Sequence, residues 1–389
     1  MSAPINDGTQ PTVAVDVRMV NAPGIGTYLR NLVPRVLAAR PSWRFVLRGN
    51  VPAITRLGWS ELANVSAQAL DEPIYSMSEQ WSLARRRTER VDAFWAPHYN
   101  IPLWQRAPLV VTVHDVMHLA RQEYTSSAAK HAYARFMFAT IRRRAAAILA
   151  VSEFTKGEFL RLVGTPRAPI TVALNGVDEG WFEQAPSSPN PSGPYVVCIA
   201  SLKPHKNLVA LIDAFGALRD RIPHKLLIVG RIDGLRTTDT TVSARVDASG
   251  GRVRLVGEVS DVSLRSLIDG AAALVHPSLY EGFGLPPLEA MAAGCPCLVS
   301  RTTAMPEVCG DAVLYCNPRD SADIAARLYQ LVTDARLRLD LSMRGRARAA
   351  GFHWSRTAER TLEVLDQVLV VGRTGAVARP SSVRNGVVN

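Results

Sequence analysis

The chain has 389 residues, 47% of them hydrophobic and 20% charged, and carries a formal net charge of +11. That length exceeds what one hydrophobic core usually organises, so two domains of comparable size are expected. No apolar run reaches the roughly 20 residues of a membrane-spanning helix, and the polar start MSAPINDGTQ lacks the basic and apolar regions of a signal peptide; a cytoplasmic protein is expected.

Short β-branched runs alternate along the chain with longer helical patterns, the signature of parallel sheets covered by helices. In the first half, strands are expected at 12–17, 44–47, 93–96, 109–113, 147–151 and 170–173, and helices at 26–39, 76–87, 126–144 and 155–162. The first strand leads into Asp16-Val-Arg18 and a loop carrying Gly24-Ile-Gly26. As a dinucleotide fingerprint this loop fails, because the third glycine is missing at the expected offset. Basic clusters, Arg85-Arg86-Arg87 with Arg90 and Arg142-Arg143-Arg144, lie in this half, where 21 Lys and Arg face 14 Asp and Glu up to residue 180. Such a surface attracts nucleic acid, anionic lipid headgroups or phosphorylated substrates; a merely solvated helix face is the plainer alternative. The strand at 109–113 delivers Thr112-Val113-His114-Asp115. The spacing His114-x3-His118 invites a metal, but no third ligand is identifiable and the segment reads as a loop.

Residues 185–194 hold four prolines among small polar residues, which neither a helix nor a central strand tolerates, and mark a linker. It separates a domain at 1–184 from a second at 195–355. In the second, strands are expected at 195–199, 225–229, 253–255, 272–276, 296–299 and 312–315, with helices at 208–221, 262–271, 287–293 and 322–334. The five cysteines (Cys198, Cys295, Cys297, Cys309, Cys316) read as reduced core residues. A last helix, 356–371, spaces Leu362, Leu365 and Leu369 for burial, and 372–389 is expected to be a disordered tail.

Open α/β domains bind ligands outside the carboxyl ends of their strands. Two such loops stand out. After the strand at 195–199 come Ser201 and Lys206; a lysine at a loop-to-helix transition suits a diphosphate. After the strand ending at His276 comes Pro-Ser-Leu-Tyr-Glu281-Gly-Phe-Gly-Leu-Pro-Pro-Leu-Glu289. Prolines at the helix start leave the amides of Phe283, Gly284 and Leu285 unpaired at the positive end of a helix, a phosphate cradle. Glu289, expected in the first turn, suits a ribose diol, and Glu281 reaches over the crevice.

This segment resembles the Glu-x7-Glu signature of retaining glycosyltransferases of the GT-B fold, family 4 type, which have two Rossmann-like domains with parallel sheets facing a central cleft. The resemblance extends over nearly the whole chain, including Val151-Ser152-Glu153-Phe154-Thr155 and Leu174-Asn175-Gly176-Val177-Asp178, similar to the family's domain-closing loop. It implies that Glu281 contacts the donor sugar, Glu289 the ribose and Lys206 the diphosphate. The family's accompanying arginine is Ser201 here, and Lys203, His205 or Arg231 are candidates for the missing charge. His114 resembles the family histidine beside the anomeric centre, and the loop bearing Arg18, Gly24 and Gly26 lies on the acceptor side. The 356–371 helix would cross back to the first domain.

With no Asp-x-Asp motif to clamp a divalent cation, metal-independent transfer without a cofactor is expected. The sequence looks nearest to bacterial mannosyltransferases of O-antigen and exopolysaccharide assembly, which implies GDP-mannose as donor and a glycan or polyprenyl-diphosphate-linked acceptor, with peripheral contact to an anionic membrane. Another donor, such as dTDP-rhamnose or UDP-glucose, or a small-molecule acceptor is the alternative. A basic nucleic-acid-binding protein is the reading from another class, but the chain carries no nucleic-acid motif and no aromatic platforms among its basic clusters, so nucleic acid is not an expected partner.

Overall fold

A computed structural model describes residues 10–85, 90–120, 128–183, 193–231 and 240–374. The first sheet has seven strands: β1 (Thr12–Asp16), β2 (Arg44–Gly49), β3 (Val65–Ala69), β4 (Ala93–Ala96), β5 (Leu109–Val113), β6 (Ala145–Ala150) and β7 (Ile170–Val172), in the order β3-β2-β1-β4-β5-β6-β7. The second has six: β8 (Tyr195–Ile199), β9 (Lys225–Val229), β10 (Val253–Gly257), β11 (Leu274–His276), β12 (Cys297–Ser300) and β13 (Leu314–Cys316), in the order β10-β9-β8-β11-β12-β13. Every pairing in both sheets is parallel. Central strands such as Ala93–Ala96 and Leu109–Val113 are buried throughout, because helices cover both faces and leave no side for water.

Among the elements that escape the sequence pattern, three show why. The edge strand β3, Val-Ser-Ala-Gln-Ala, is buried nowhere along its length and has no apolar run to announce it. A helix at Thr240–Ala248 is equally quiet. Asp334, expected to end a helix, also begins the next: its carboxylate accepts from Leu337 N at 3.0 Å and caps Ala335–Ala349. That helix is arginine-rich and buries only Leu341, Gly345 and Ala349, so its periodicity is weak.

The linker expected at 185–194 lies outside the described residues except for Gly193 and Pro194, as do Arg86 and Arg87 and the tail from 375. The last helix spans Trp354–Thr374, passing Gly372, where the tail was expected to begin. It lies against the helix Ile25–Ala39 and strands β4 to β7 of the first sheet, burying Leu362, Leu365 and Leu369. Thr357 Oγ1 donates to Leu174 O at 2.6 Å, and Arg40 pairs with Asp366 at 2.7 Å. At its start Gly176 lies so close that a Cβ there would fall 2.1 Å from Trp354 N. Among the described residues no helix is long and apolar enough to cross a membrane. All five cysteines are buried and unpaired.

Candidate functional site

The strand order reverses once in each sheet, at β1/β4 and at β8/β11, and ligand crevices open beyond the carboxyl ends at such points. Beyond β8, the turn Pro204–Lys206 ends at Asn207, whose left-handed backbone (φ +61°) redirects the chain into the helix Leu208–Gly216. Asn207 Nδ2 donates to Pro277 O at 3.0 Å, and Leu279 N donates to His205 O at 2.8 Å, so the segments following β8 and β11 are stitched together. Lys206 Nζ then lies 2.6 Å from Glu281 Oε1. His276, the last residue of β11, sets Nε2 2.9 Å from the same oxygen and 3.1 Å from Ser278 Oγ. Burial alone would raise the Glu281 pKa, but Lys206 and then His276 outweigh it and hold the carboxyl well below the usual range. Two residues assigned to opposite ends of a donor diphosphate sugar therefore form one ion pair. The sequence reading missed His276 as their third member; its position closing the strand five residues before Glu281 was the available signal.

The helix starts at Leu285, two residues before the expected Pro287, because Gly284 at φ +111° ends the preceding loop. Glu289 consequently falls in the second turn, not the first. The amides of Phe283, Gly284 and Leu285 find no acceptor among the described residues, which leaves the positive end of this helix available to an anion. Glu289 is half-buried, and its carboxylate accepts no hydrogen bond from the described residues. Burial, reinforced by Asp261 and Asp178 against the opposing pull of Arg30 from the first domain, pushes its pKa up to about 7.

A carboxyl whose pKa is raised by folding stabilises the fold while protonated, and that contribution is lost as pH rises from the ordinary carboxylate value towards 7. Glu289→Gln should therefore raise the melting temperature of the ligand-free protein at pH 8 by a few degrees, equivalent to about 1–3 kcal/mol, and leave it unchanged near pH 4.5. If Glu289 takes a ribose diol, which donates to the ionised form, the same variant weakens nucleotide binding at pH 8. Melting curves and titrations at the two pH values check this; equal effects at both would remove Glu289 from the site.

Across the cleft, His114 follows β5 and sets Nε2 2.9 Å from Pro97 O. A carbonyl only accepts, so Nε2 carries the hydrogen and Nδ1 offers a lone pair. Burial lowers the His114 pKa to about 4, and the edge of Tyr28 packs against the ring with centroids 4.7 Å apart. The imidazole is neutral, suited to accept from a ligand hydroxyl. His118, four residues on, sits in a short helix (Met117–Ala120) where a loop was expected, and its ring meets Tyr99. Among the described residues no three His, Cys, Asp or Glu side chains converge as metal ligands.

Arg18 is not available to an acceptor. Its side chain is 3% exposed and spent on two carboxylates, Asp16 (Nε to Oδ1, 2.9 Å) and Glu79 (Nη1 to Oε1, 2.6 Å). Gly26 packs beneath Val20, whose carbonyl oxygen would lie 2.5 Å from any Cβ, while Gly24 at φ +73° has open space beside it. Of the candidates for the missing basic charge, His205 is ruled out: burial and the adjacent Lys206 push its pKa down to about 3, so it is neutral. Arg231 is exposed beyond β9 and pairs with Glu258 at 3.5 Å. Gly230, just before Arg231, packs on the Ala200–Ser201 backbone, with the Ala200 carbonyl oxygen 2.4 Å from where a Cβ would stand. Lys203 is exposed at the start of the Pro204–Lys206 turn.

The model of Glycosyltransferase Family 4 matches residues 24–181, and that of Glycosyl transferases group 1 matches residues 181–348. Among relatives, O-antigen chain mannosyltransferase B of Escherichia coli is 29% identical over 374 residues, covering 87% of this chain and 94% of that protein. O-antigen chain mannosyltransferase RfbU of Salmonella typhimurium is 31% identical over 57% of this chain and 60% of its own length. The fold is shared with sucrose-phosphate synthase from Thermosynechococcus elongatus (TM-score 0.75, 18% identity, 93% of this chain and all of that one) and with Anabaena HepE in complex with UDP and glucose (TM-score 0.73, 18% identity, 92% and 100%). Two parallel-sheet domains and matched models over both halves show that this chain belongs to the family 4 type of GT-B glycosyltransferases.

Proposed function

We propose that the chain is a retaining mannosyltransferase that moves mannose from GDP-mannose to a lipid-linked oligosaccharide or glycan in cell-surface polysaccharide assembly. One observation carries the nucleotide-sugar reading: among the described residues Glu289, a half-buried carboxyl that accepts no hydrogen bond, stands in the second turn of the helix whose start offers three amides without acceptors, eight residues after Glu281 of the Lys206–Glu281 pair. The amides and Lys206 take the diphosphate, Glu289 the ribose, and Glu281 with the His114 lone pair the sugar hydroxyls. In the transfer, the acceptor oxygen bonds to the anomeric carbon from the face that the diphosphate leaves. The bond to the departing phosphate breaks, and that phosphate takes the acceptor proton. Charge on the leaving group is neutralised by Lys206 and the helix amides, without a metal ion. The mannosyl donor and O-antigen setting are supported by the relatives' names.

Peripheral membrane contact is supported by exposed aromatic and basic side chains of the first domain, Trp81, Trp104 and Phe136 with Arg85, Arg106 and Arg143; the exposed aromatics were not expected among the basic clusters from the sequence. Arg144 from the second basic cluster is instead a structural clamp, donating to Leu103 O and, at 2.9 Å, to Gln105 O.

A donor panel tests the proposal. GDP-mannose, UDP-glucose and dTDP-rhamnose are each supplied with a polyprenyl-diphosphate-linked acceptor in vesicles with and without anionic lipid, and with and without EDTA. GDP release with GDP-mannose alone, insensitive to EDTA, and co-sedimentation with anionic vesicles only are expected. Loss of all turnover in EDTA overturns the metal-free route, and turnover with another donor alone overturns the mannosyl assignment.

A further inference from the structure

The helix Glu153–Leu162 of the first domain begins against the donor loop of the second. Ser152 Oγ donates to Gly282 O at 2.6 Å, and Thr155 Oγ1 donates to the same oxygen at 3.0 Å. The next two amides, which a helix start leaves without intrahelical partners, are taken up from the other side of the cleft: Glu153 N donates to Glu307 Oε1 at 2.8 Å and Phe154 N to Glu307 Oε2 at 2.9 Å. One carboxylate thus grips the positive end of a helix in the opposite domain with both oxygens. The ring of Phe154 packs edge-on against Tyr280, and Gly282 lies against the His114 carbonyl and the Asp115 Cβ.

Glu307 stands four residues after Thr303, and the segment they bound holds Glu281 by both its amide and its carbonyl. Glu281 N donates to Thr303 Oγ1 at 3.2 Å, and Ala304 N donates to Glu281 O at 3.4 Å. Thr303 has φ +57°, a left-handed conformation that a β-branched residue avoids. A strained residue persists where the surroundings impose it, and here the strain aims the hydroxyl at the Glu281 amide.

From this geometry we infer that Thr303 and Glu307 are positioning residues forming an interdomain latch: Glu307 clasps the Glu153–Leu162 helix when the cleft closes, and the same segment fixes Glu281 through Thr303, so closure and orientation of the sugar-side carboxylate are one event. Neither residue touches the reacting atoms. The latch deepens the glycosyl-transfer reading and rests on it only for its catalytic consequence.

Three variants of the full chain decide the matter. In Glu307→Ala, hydrogen exchange at the amides of Glu153 and Phe154 should accelerate and the radius of gyration from X-ray scattering should increase. The Kd for GDP should stay within about twofold, and kcat should fall about 10- to 100-fold, the scale of an ångström of misplacement. Glu307→Gln, which keeps one carbonyl acceptor, should lie between. Thr303→Gly relieves the left-handed strain, so its melting temperature should equal or exceed the wild-type value while kcat falls about tenfold. Unchanged exchange and scattering in Glu307→Ala, full turnover in Thr303→Gly, or losses of kcat and GDP affinity in parallel would each overturn the latch. A wild-type chain inert on every donor would sink the transfer reading alone, and exchange and scattering would then decide the latch.

Discussion

Glu281→Gln should lower kcat about a thousandfold or more, with the melting temperature within a few degrees of wild type. The substitution keeps the shape and removes the charge, and roughly 4 kcal/mol of transition-state stabilisation corresponds to that loss. The size follows from what surrounds the carboxylate. Lys206 at 2.6 Å and His276 at 2.9 Å share one oxygen, so the charge fixes the direction of both neighbours as well as its own. Lys206→Ala should cost turnover on a similar scale, because in the proposed transfer the same cation faces the departing diphosphate. Both side chains keep some solvent contact, 17% and 15%, so the pair is not a sealed buried ion pair whose rupture unfolds the protein. Steady-state kinetics beside thermal melts test this: matching losses of stability and activity would make the pair a scaffold element.

The second large effect is expected from a single methyl group. At Gly282 a Cβ would stand 1.8 Å from the carbonyl oxygen of His114 and 2.9 Å from Asp115 Cβ, both in the other domain. A backbone atom cannot step aside as a flexible side chain can, so Gly282→Ala must push the two domains apart at the point where, in the proposed complex, they flank the sugar. A kcat loss of about 100-fold is expected, with GDP affinity within a few-fold, since the amides and Glu289 sit wholly in the second domain. Wild-type turnover in this variant would mean that the closed cleft is not the reacting one.

The strands at Ala93–Ala96, Leu109–Val113, Tyr195–Ile199 and Lys225–Val229 were readable to the residue because central parallel strands are unbroken apolar runs bounded by polar turns. The two strand-to-helix junctions that carry Lys206, Glu281 and Glu289 were readable for a related reason: glycines and prolines at such a junction have few other uses. Less legible was what pairing does to chemistry. Arg18 stands in the sequence as a loop cation, and only the fold shows Glu79, 61 positions on, cancelling its charge together with Asp16. His205 similarly looks like a spare positive charge until burial makes it neutral. Glu307 and Thr303 carry no motif signal for their contacts, since the amides that Glu307 holds lie about 150 positions earlier in the chain.

The course of the last helix has a consequence for exchange between relatives. Its residues Trp354–Thr374 follow the second sheet in the chain, yet their apolar stripe is seated on the first domain, against Ile25–Ala39 and the strands beside it. The unit that recombination or engineering can swap is therefore not a half of the gene. A graft that brings in a foreign donor-binding half must retain the native carboxyl-terminal helix, or supply one whose stripe fits the recipient's surface.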